Sequence, residues 1–170
     1  MTESLKYFAF DTAAGWVGIL ASAQGLVRTT LPQKSRAGAL KRLGDSVSSA
    51  TLSPGPFQDL IERLRRYFDG HKTDFPDELD LGAATPFQRQ VWEATRLIPY
   101  GQTRSYSYLA GQIGKPGAAR AVGQALGRNP LPIIIPCHRV IARSGRLGGF
   151  TGGLEMKISL LRQEGAAPIK

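Results

Sequence analysis

Three short runs near the amino terminus, residues 5–10, 16–21 and 26–31, have the apolar density of strands, and Gln24-Gly25 marks a turn before the last. They predict a meander forming one face of a small sheet. Residues 32–56 are poor in large apolar side chains and close on Pro54-Gly55-Pro56, so a stretch that is mostly loop is expected, with room for one basic helix over 36–43. Phe57, Leu60, Ile61, Leu64, Tyr67 and Phe68 then recur at i, i+3, i+4, i+7, and Gly70 is placed to stop an amphipathic helix. The acidic, proline-bearing residues 74–80 read as a connector, which puts a domain boundary near Gly82 and gives domains 1–82 and 83–170.

The second half opens with Thr85-Pro86-Phe87-Gln88. Threonine at the N-cap, proline at the first helical position and glutamine three after the cap are the signature of a capping box. The helix it starts should turn Phe87, Val91, Thr95 and Ile98 inward and end before Pro99-Tyr100-Gly101. A short helix capped by Ser105 runs to Ile113, the turn 114–117 breaks it, and a second helix follows over 118–126. Two short helices around a glycine turn outline a helix-turn-helix, although any two packed helices look similar. On the second helix Ala118, Val122, Ala125 and Leu126 share one face, while Arg120 points away beside Gly123, Gln124 and Gly127. Small neighbours around one arginine suit close approach to a nucleic acid, and a surface ion pair is the alternative. After Asn129-Pro130 comes an apolar run into Cys137, then a glycine-rich segment over 143–153 that fits a pocket wall better than a nucleotide loop. A final helix over 154–163 is expected to bury Leu154, Ile158 and Leu161, with Glu164 at its end.

Composition narrows the classes. With 42% hydrophobic and 21% charged residues the chain can bury a core, so global disorder is not expected. One cysteine excludes an intrachain disulfide, and with only two histidines no metal site is expected. No apolar stretch approaches the ~18 residues of a membrane span. Residues 1–6 lack an export-signal pattern, so a cytoplasmic location with no membrane partner is expected. Residues 1–85 hold 10 basic and 10 acidic side chains, whereas residues 86–170 hold 12 and 3, the whole net charge of +9. A solvated basic face would account for this, but its confinement to the cysteine-bearing half favours a polyanionic partner such as DNA or RNA.

Cys137 is the chemistry. It lies in Ile133-Ile134-Ile135-Pro136-Cys137-His138-Arg139-Val140, where an apolar run delivers a thiol to an imidazole and a guanidinium. Only the thiolate is a useful nucleophile, and such neighbours can lower a thiol pKa; a drop from ~8.5 to ~5.5 would be worth about 4 kcal/mol. Lone cysteines are also often plain buried hydrophobes, and the local sequence leaves the two readings open.

Pro136-Cys137-His138-Arg139-Val140 together with Ile98-Pro99-Tyr100-Gly101, Ser105-Tyr106, the run from Ala118 to Gly123 and Asn129-Pro130 resembles the O6-alkylguanine-DNA alkyltransferases, over about residues 85–165. The resemblance implies an α/β (α+β) fold, with a small ribonuclease-H-like sheet-and-helix domain and a mostly helical domain bearing a winged-helix-like helix-turn-helix. It implies direct repair of double-stranded DNA: one irreversible transfer of the alkyl group from O6-alkylguanine, with O4-alkylthymine as the lesser alternative, to Cys137, without cofactor. His138 would take the thiol proton through a water, Glu164 would orient His138, and Asn129 would tie the paired helices to the cysteine turn. Tyr106 would help extrude the nucleotide and protonate the guanine. Arg120 would fill the vacated stack, with Ser105, Ala119, Gly123 and Arg128 at the DNA surface. Pro136, Arg139, Val140, Phe150 and Thr151 would form the substrate pocket; the family often has a phenol and a serine at the last two. The protein would be a monomer in solution, with cooperativity on DNA left open. A binding-only relative that flags alkylated bases usually lacks the cysteine, and a cysteine hydrolase would turn over.

Overall fold

The computed structural model describes residues 4–166, so the reading of an absent export signal falls largely on residues 1–3, outside the described residues. The chain divides into two compact units, Met1–Gly82 and Ala83–Lys170.

In the first unit β1 (Lys6–Thr12), β2 (Gly15–Ser22) and β3 (Gly25–Thr29) form the expected meander. A fourth strand absent from the sequence reading, β4 (Thr51–Leu52), joins parallel to β1 and gives the order β3-β2-β1-β4. The stretch read as mostly loop is more ordered than expected. It contains α1 (Arg36–Leu43), whose N-cap Ser35 accepts from Gly38 N, and 3-10 turns at Asp45–Ser49 and Gly55–Phe57. α1 seats Ala39 and Leu43 on β2; a Cβ at Gly18 would fall 2.9 Å from the Leu43 side chain, so the helix lies close because that position is glycine. α2 (Gln58–Phe68) buries Leu60, Ile61, Leu64, Tyr67 and Phe68, the face the periodicity marks. The acidic connector is pinned: Asp77 takes a two-pronged pair from Arg63 at 2.8 Å, and Asp80 accepts from Ser22 at 2.6 Å.

In the second unit α3 (Pro86–Arg96) has both halves of its capping box, Gln88 N to Thr85 Oγ1 and Thr85 N to Gln88 Oε1, each 3.1 Å. Its buried face is Val91, Trp92 and Thr95, with Ile98 just beyond; Phe87 is only half-buried. Trp92 is interior because its indole N–H reaches Ala125 O at 2.9 Å, which satisfies the ring's one donor. β5 (Arg104–Ser105) leads into α4 (Tyr106–Gln112), capped by Ser105 Oγ accepting from Tyr108 N. α5 (Ala119–Gly127) packs on α3 and α4 through Val122, Ala125 and Leu126. β6 (Val140–Ile141) pairs parallel with β5, Arg104 opposite Val140 and Ser105 opposite Ile141. That pairing places Tyr106 beside the chain leaving Cys137. α6 (Leu154–Gln163) has the expected ends but a different buried face. Leu154 is exposed and Ile158 half-buried, while Lys157, Leu160, Leu161 and, one residue past the helix, Glu164 are buried. No helix among the described residues is long and apolar enough to cross a membrane.

Candidate active site around Cys137

The turn before Cys137 is held under strain. Ile133 has φ 75°, a left-handed conformation that a β-branched residue rarely adopts and that costs on the order of 1–3 kcal/mol. Asn129 bridges the turn, its Oδ1 accepting from Leu131 N at 2.8 Å and its Nδ2 donating to Ile135 O at 2.8 Å and to Cys137 Sγ at 3.2 Å. Pro136, at φ −79° and ψ 64°, is the centre of an inverse γ-turn closed by Cys137 N to Ile135 O at 2.7 Å, and proline is suited to that φ. Strain, amide and proline together fix where the sulfur points.

Cys137 forms part of a pocket of about 640 Å³, a size suited to a small organic group or a base. Tyr106 and Arg120 stand on its α4 and α5 sides, and Gly148, Gly149, Phe150 and Thr151 supply the opposite wall. Gly148 has φ 68°, and a Cβ there would lie 2.5 Å from the Tyr106 hydroxyl, so only glycine lets the wall close on that ring.

Behind the thiol lies a buried charge cluster. His138 Nε2 is 2.6 Å from Glu164 Oε2, Arg139 donates to both Glu164 oxygens at 2.8 and 3.1 Å, and Arg139 Nη1 donates to Ile98 O at 2.8 Å. Gly101 N adds a bond to Glu164 Oε1 at 3.1 Å. Burial alone would raise the Glu164 pKa, but the bonds and charges of His138 and Arg139 override it and hold the carboxyl at about 2. Burial lowers the His138 pKa more than Glu164 raises it, so the imidazole is neutral. An ionised carboxylate has no proton to give, so Nε2 carries the hydrogen and Nδ1 the lone pair. This cluster also gives Ile98-Pro99-Tyr100-Gly101 its purpose: it cradles Arg139 and Glu164.

The resting thiol departs from the sequence expectation. Burial pushes the Cys137 pKa up, and the Asn129 hydrogen bond and the Lys157 charge offset only part of this. The lowering toward ~5.5 rests on an imidazole and clustered cations beside the thiol, but the Arg139 guanidinium is committed to Glu164 and burial leaves His138 neutral.

The sequence profile described as the DNA-binding domain of 6-O-methylguanine DNA methyltransferase matches residues 86–166. A methylated-DNA–protein-cysteine methyltransferase from Mycobacterium tuberculosis is 54% identical over 114 residues, 67% of this chain and 68% of the relative. The chain belongs to the methylated-DNA–protein-cysteine methyltransferase family. The crystal structure of the Mycobacterium tuberculosis O6-methylguanine methyltransferase aligns with TM-score 0.79 at 42% identity, covering 98% of this chain and 96% of that one. A structure of the Mycobacterium tuberculosis protein in complex with DNA aligns with TM-score 0.79 at 43% identity, over 94% and 92%.

Of the site residues expected in this family member, the structure brings Tyr106, Ala119, Arg120, Gly123, Cys137, Phe150 and Thr151 around one pocket. His138, Glu164 and Asn129 lie behind or beside the thiol. Ser105 serves as the α4 cap, and Arg128 is exposed at the end of α5. Pro136, Arg139 and Val140 are not on the pocket surface. Arg139 is turned inward because Glu164 and Ile98 O take its donors, and Val140 is fully buried with its carbonyl accepting from Lys157. Thr151 Oγ1 is engaged with Gly127 O at 3.2 Å. The residue missed outright is Lys157. Glu164 supplied the signal: seven residues earlier on a helix is the same face, and 157, 160, 161 and 164 follow i, i+3, i+4, i+7.

Proposed function

We propose that the chain repairs alkylated DNA by transferring the alkyl group of O6-alkylguanine to Cys137, once per molecule. The observation that carries this is a lone, rigidly aimed thiol at a base-sized pocket, backed by a neutral imidazole on a buried carboxylate, with an outward arginine at the pocket's rim. A stacked guanine cannot present its alkyl carbon in line to a sulfur, so the nucleotide must leave the duplex at a cost of a few kcal/mol. Arg120, exposed on α5 beside the small Gly123 and Gly127, is the residue to occupy the gap from the minor-groove side. The basic excess of residues 86–170 supplies phosphate attraction and predicts strong salt dependence.

In the reaction the sulfur–carbon bond forms as the carbon–O6 bond breaks. The thiol proton passes through a water to the lone pair of His138, whose other nitrogen is anchored on Glu164. Tyr106, which burial keeps protonated well above neutral pH, donates to the departing guanine. A resting thiol that burial keeps protonated also guards the single nucleophile against stray electrophiles. The thioether product has no good leaving group, so the protein is spent. Intact-mass analysis after incubation with duplex carrying O6-methylguanine should show one methyl group per chain, on the Cys137 peptide. Repeated turnover would point to a hydrolase and overturn the reading.

Arg120→Ala separates extrusion from chemistry. If Arg120 offsets ~2–3 kcal/mol of flipping cost, the rate on lesion duplex falls roughly 30–150-fold. The rate with free O6-benzylguanine, which needs no extrusion, should stay within about threefold. Equal losses on both substrates in parallel rate measurements would remove Arg120 from this role.

A further inference from the structure

Lys157 is a buried lysine in the middle of α6, and its environment is built for an ammonium. Its Nζ donates to Val140 O at 2.7 Å, to Leu147 O, and to Gly149 O at 3.2 Å. Three carbonyls take all three ammonium protons. Two of those carbonyls belong to the glycine-rich wall and the third to β6, just past the cysteine turn. The same Nζ lies 5.9 Å from the centre of the Tyr106 ring, within range of a cation–π contact. The wall has few ties of its own, chiefly Ala142 N to Arg146 O, Gly145 N to Ala142 O and Gly153 N to Phe150 O, and none of these fixes residues 147–149. Lys157 is what fastens that backbone to the rest of the pocket.

We infer that Lys157 is a positioning residue that shapes the purine pocket by tying the backbone of Leu147 and Gly149 to β6 and Tyr106, and that it governs capture of the base more than reactivity of the thiol. The inference rests on the alkyl-transfer reading and adds a specificity-determining group to it. Groups facing the ammonium are Cys137, Tyr106 and His138, with the ionised Glu164–Arg139 pair behind His138. Burial lowers the Lys157 pKa to about 8, partly offset by Cys137. A neutral amine would have two protons for three carbonyls, so the wall should loosen as pH rises through that value.

The test compares two reagents for the same sulfur: O6-benzylguanine, which must fit the pocket, and iodoacetamide, which needs only a thiolate. In Lys157→Met, saturation kinetics should show the half-saturating concentration of O6-benzylguanine rising about tenfold or more, as expected for loss of charged hydrogen bonds, with a far smaller change in limiting rate. Alkylation by iodoacetamide should fall by no more than about threefold, reflecting the lost positive neighbour. Parallel losses with both reagents would make Lys157 an electrostatic activator of the thiol and overturn the positioning role. Should Lys157→Met fail to fold, the wild type decides. The half-saturating concentration of O6-benzylguanine, which reads capture of the base and not thiol ionisation, should rise between about pH 7 and pH 9.5 as Lys157 loses its proton. A half-saturating concentration that stays flat across that range overturns the inference. If wild type reacts with iodoacetamide but takes up no methyl group from duplex carrying O6-methylguanine, the alkyl-transfer function itself fails, and this role with it.

Discussion

Cys137→Ala abolishes alkyl transfer to the protein while leaving affinity for lesion duplex within about threefold of wild type. The first half of this expectation follows from the sequence: no second cysteine exists to accept the group. The second half follows from the turn. Asn129 loses only its 3.2 Å contact to the sulfur and keeps its bonds to Ile135 O and Leu131 N, so the strained conformation at Ile133 stays supported. Removing one thiol from a partly open pocket costs on the order of 1 kcal/mol and leaves Arg120, Tyr106 and the basic face intact. Mass spectrometry reads the transfer, and a binding titration with lesion duplex reads the affinity. A methyl group found on the alanine variant would mean that another side chain accepts it. Loss of lesion binding at full folding would mean that the sulfur is chiefly a structural contact.

What the sequence disclosed about this site depended on how local the determinants are. The capping box at Thr85, the Ser105 cap and the face of α2 are written in neighbouring residues, and each forms where the pattern places it. Two-residue strands such as β4, β5 and β6 have no period to detect, and they exist only because a distant partner supplies the bonds. β5 and β6 matter most, since their pairing brings Tyr106 to the cysteine turn. The acidic residues 74–80 look like a linker until Arg63 and Ser22, distant in sequence, claim Asp77 and Asp80.

At the site itself the cysteine, the histidine and the helix-end glutamate were legible as chemistry, but the commitments of the charged residues were not. Arg139 looks like an activator one position from His138; in space its donors go to Glu164 and Ile98 O. Lys157 is hidden in the sequence because a lysine on a helix is ordinarily solvated, and a buried face through Leu154 and Ile158 rotates α6 away from its true register. The thiol's protonation followed from the same error: counting cations along the chain predicts a lowered pKa, whereas burial at the turn raises it.

Glu164→Gln should be the most damaging single change to stability. The carboxylate accepts from Arg139 twice, from His138 and from Gly101 N, all in the interior. A neutral amide would leave Arg139 as an uncompensated buried charge and turn an N–H toward one of the donors, a loss of about 3–5 kcal/mol by analogy with broken buried pairs. His138 would lose the anchor that sets its tautomer, so transfer by any folded variant should fall about 100-fold or more, the usual worth of a positioned base. Acid stability gives an independent check. The Glu164 pKa is about 2 in the folded chain against an ordinary 4.5, so its stabilisation is complete above about pH 4.5 and disappears as pH falls toward 2. A shift of that size is worth a few kcal/mol. His138, held neutral by burial, acts with the same sign: below about pH 6.5 the unfolded chain takes up a proton that the folded one refuses. Wild type should therefore lose stability steadily from pH 6.5 downward, whereas the glutamine variant starts lower and has a flatter slope between about pH 4.5 and 2. Urea midpoints across that range decide the matter; parallel curves would show that the ionised Glu164 contributes nothing to holding the site together.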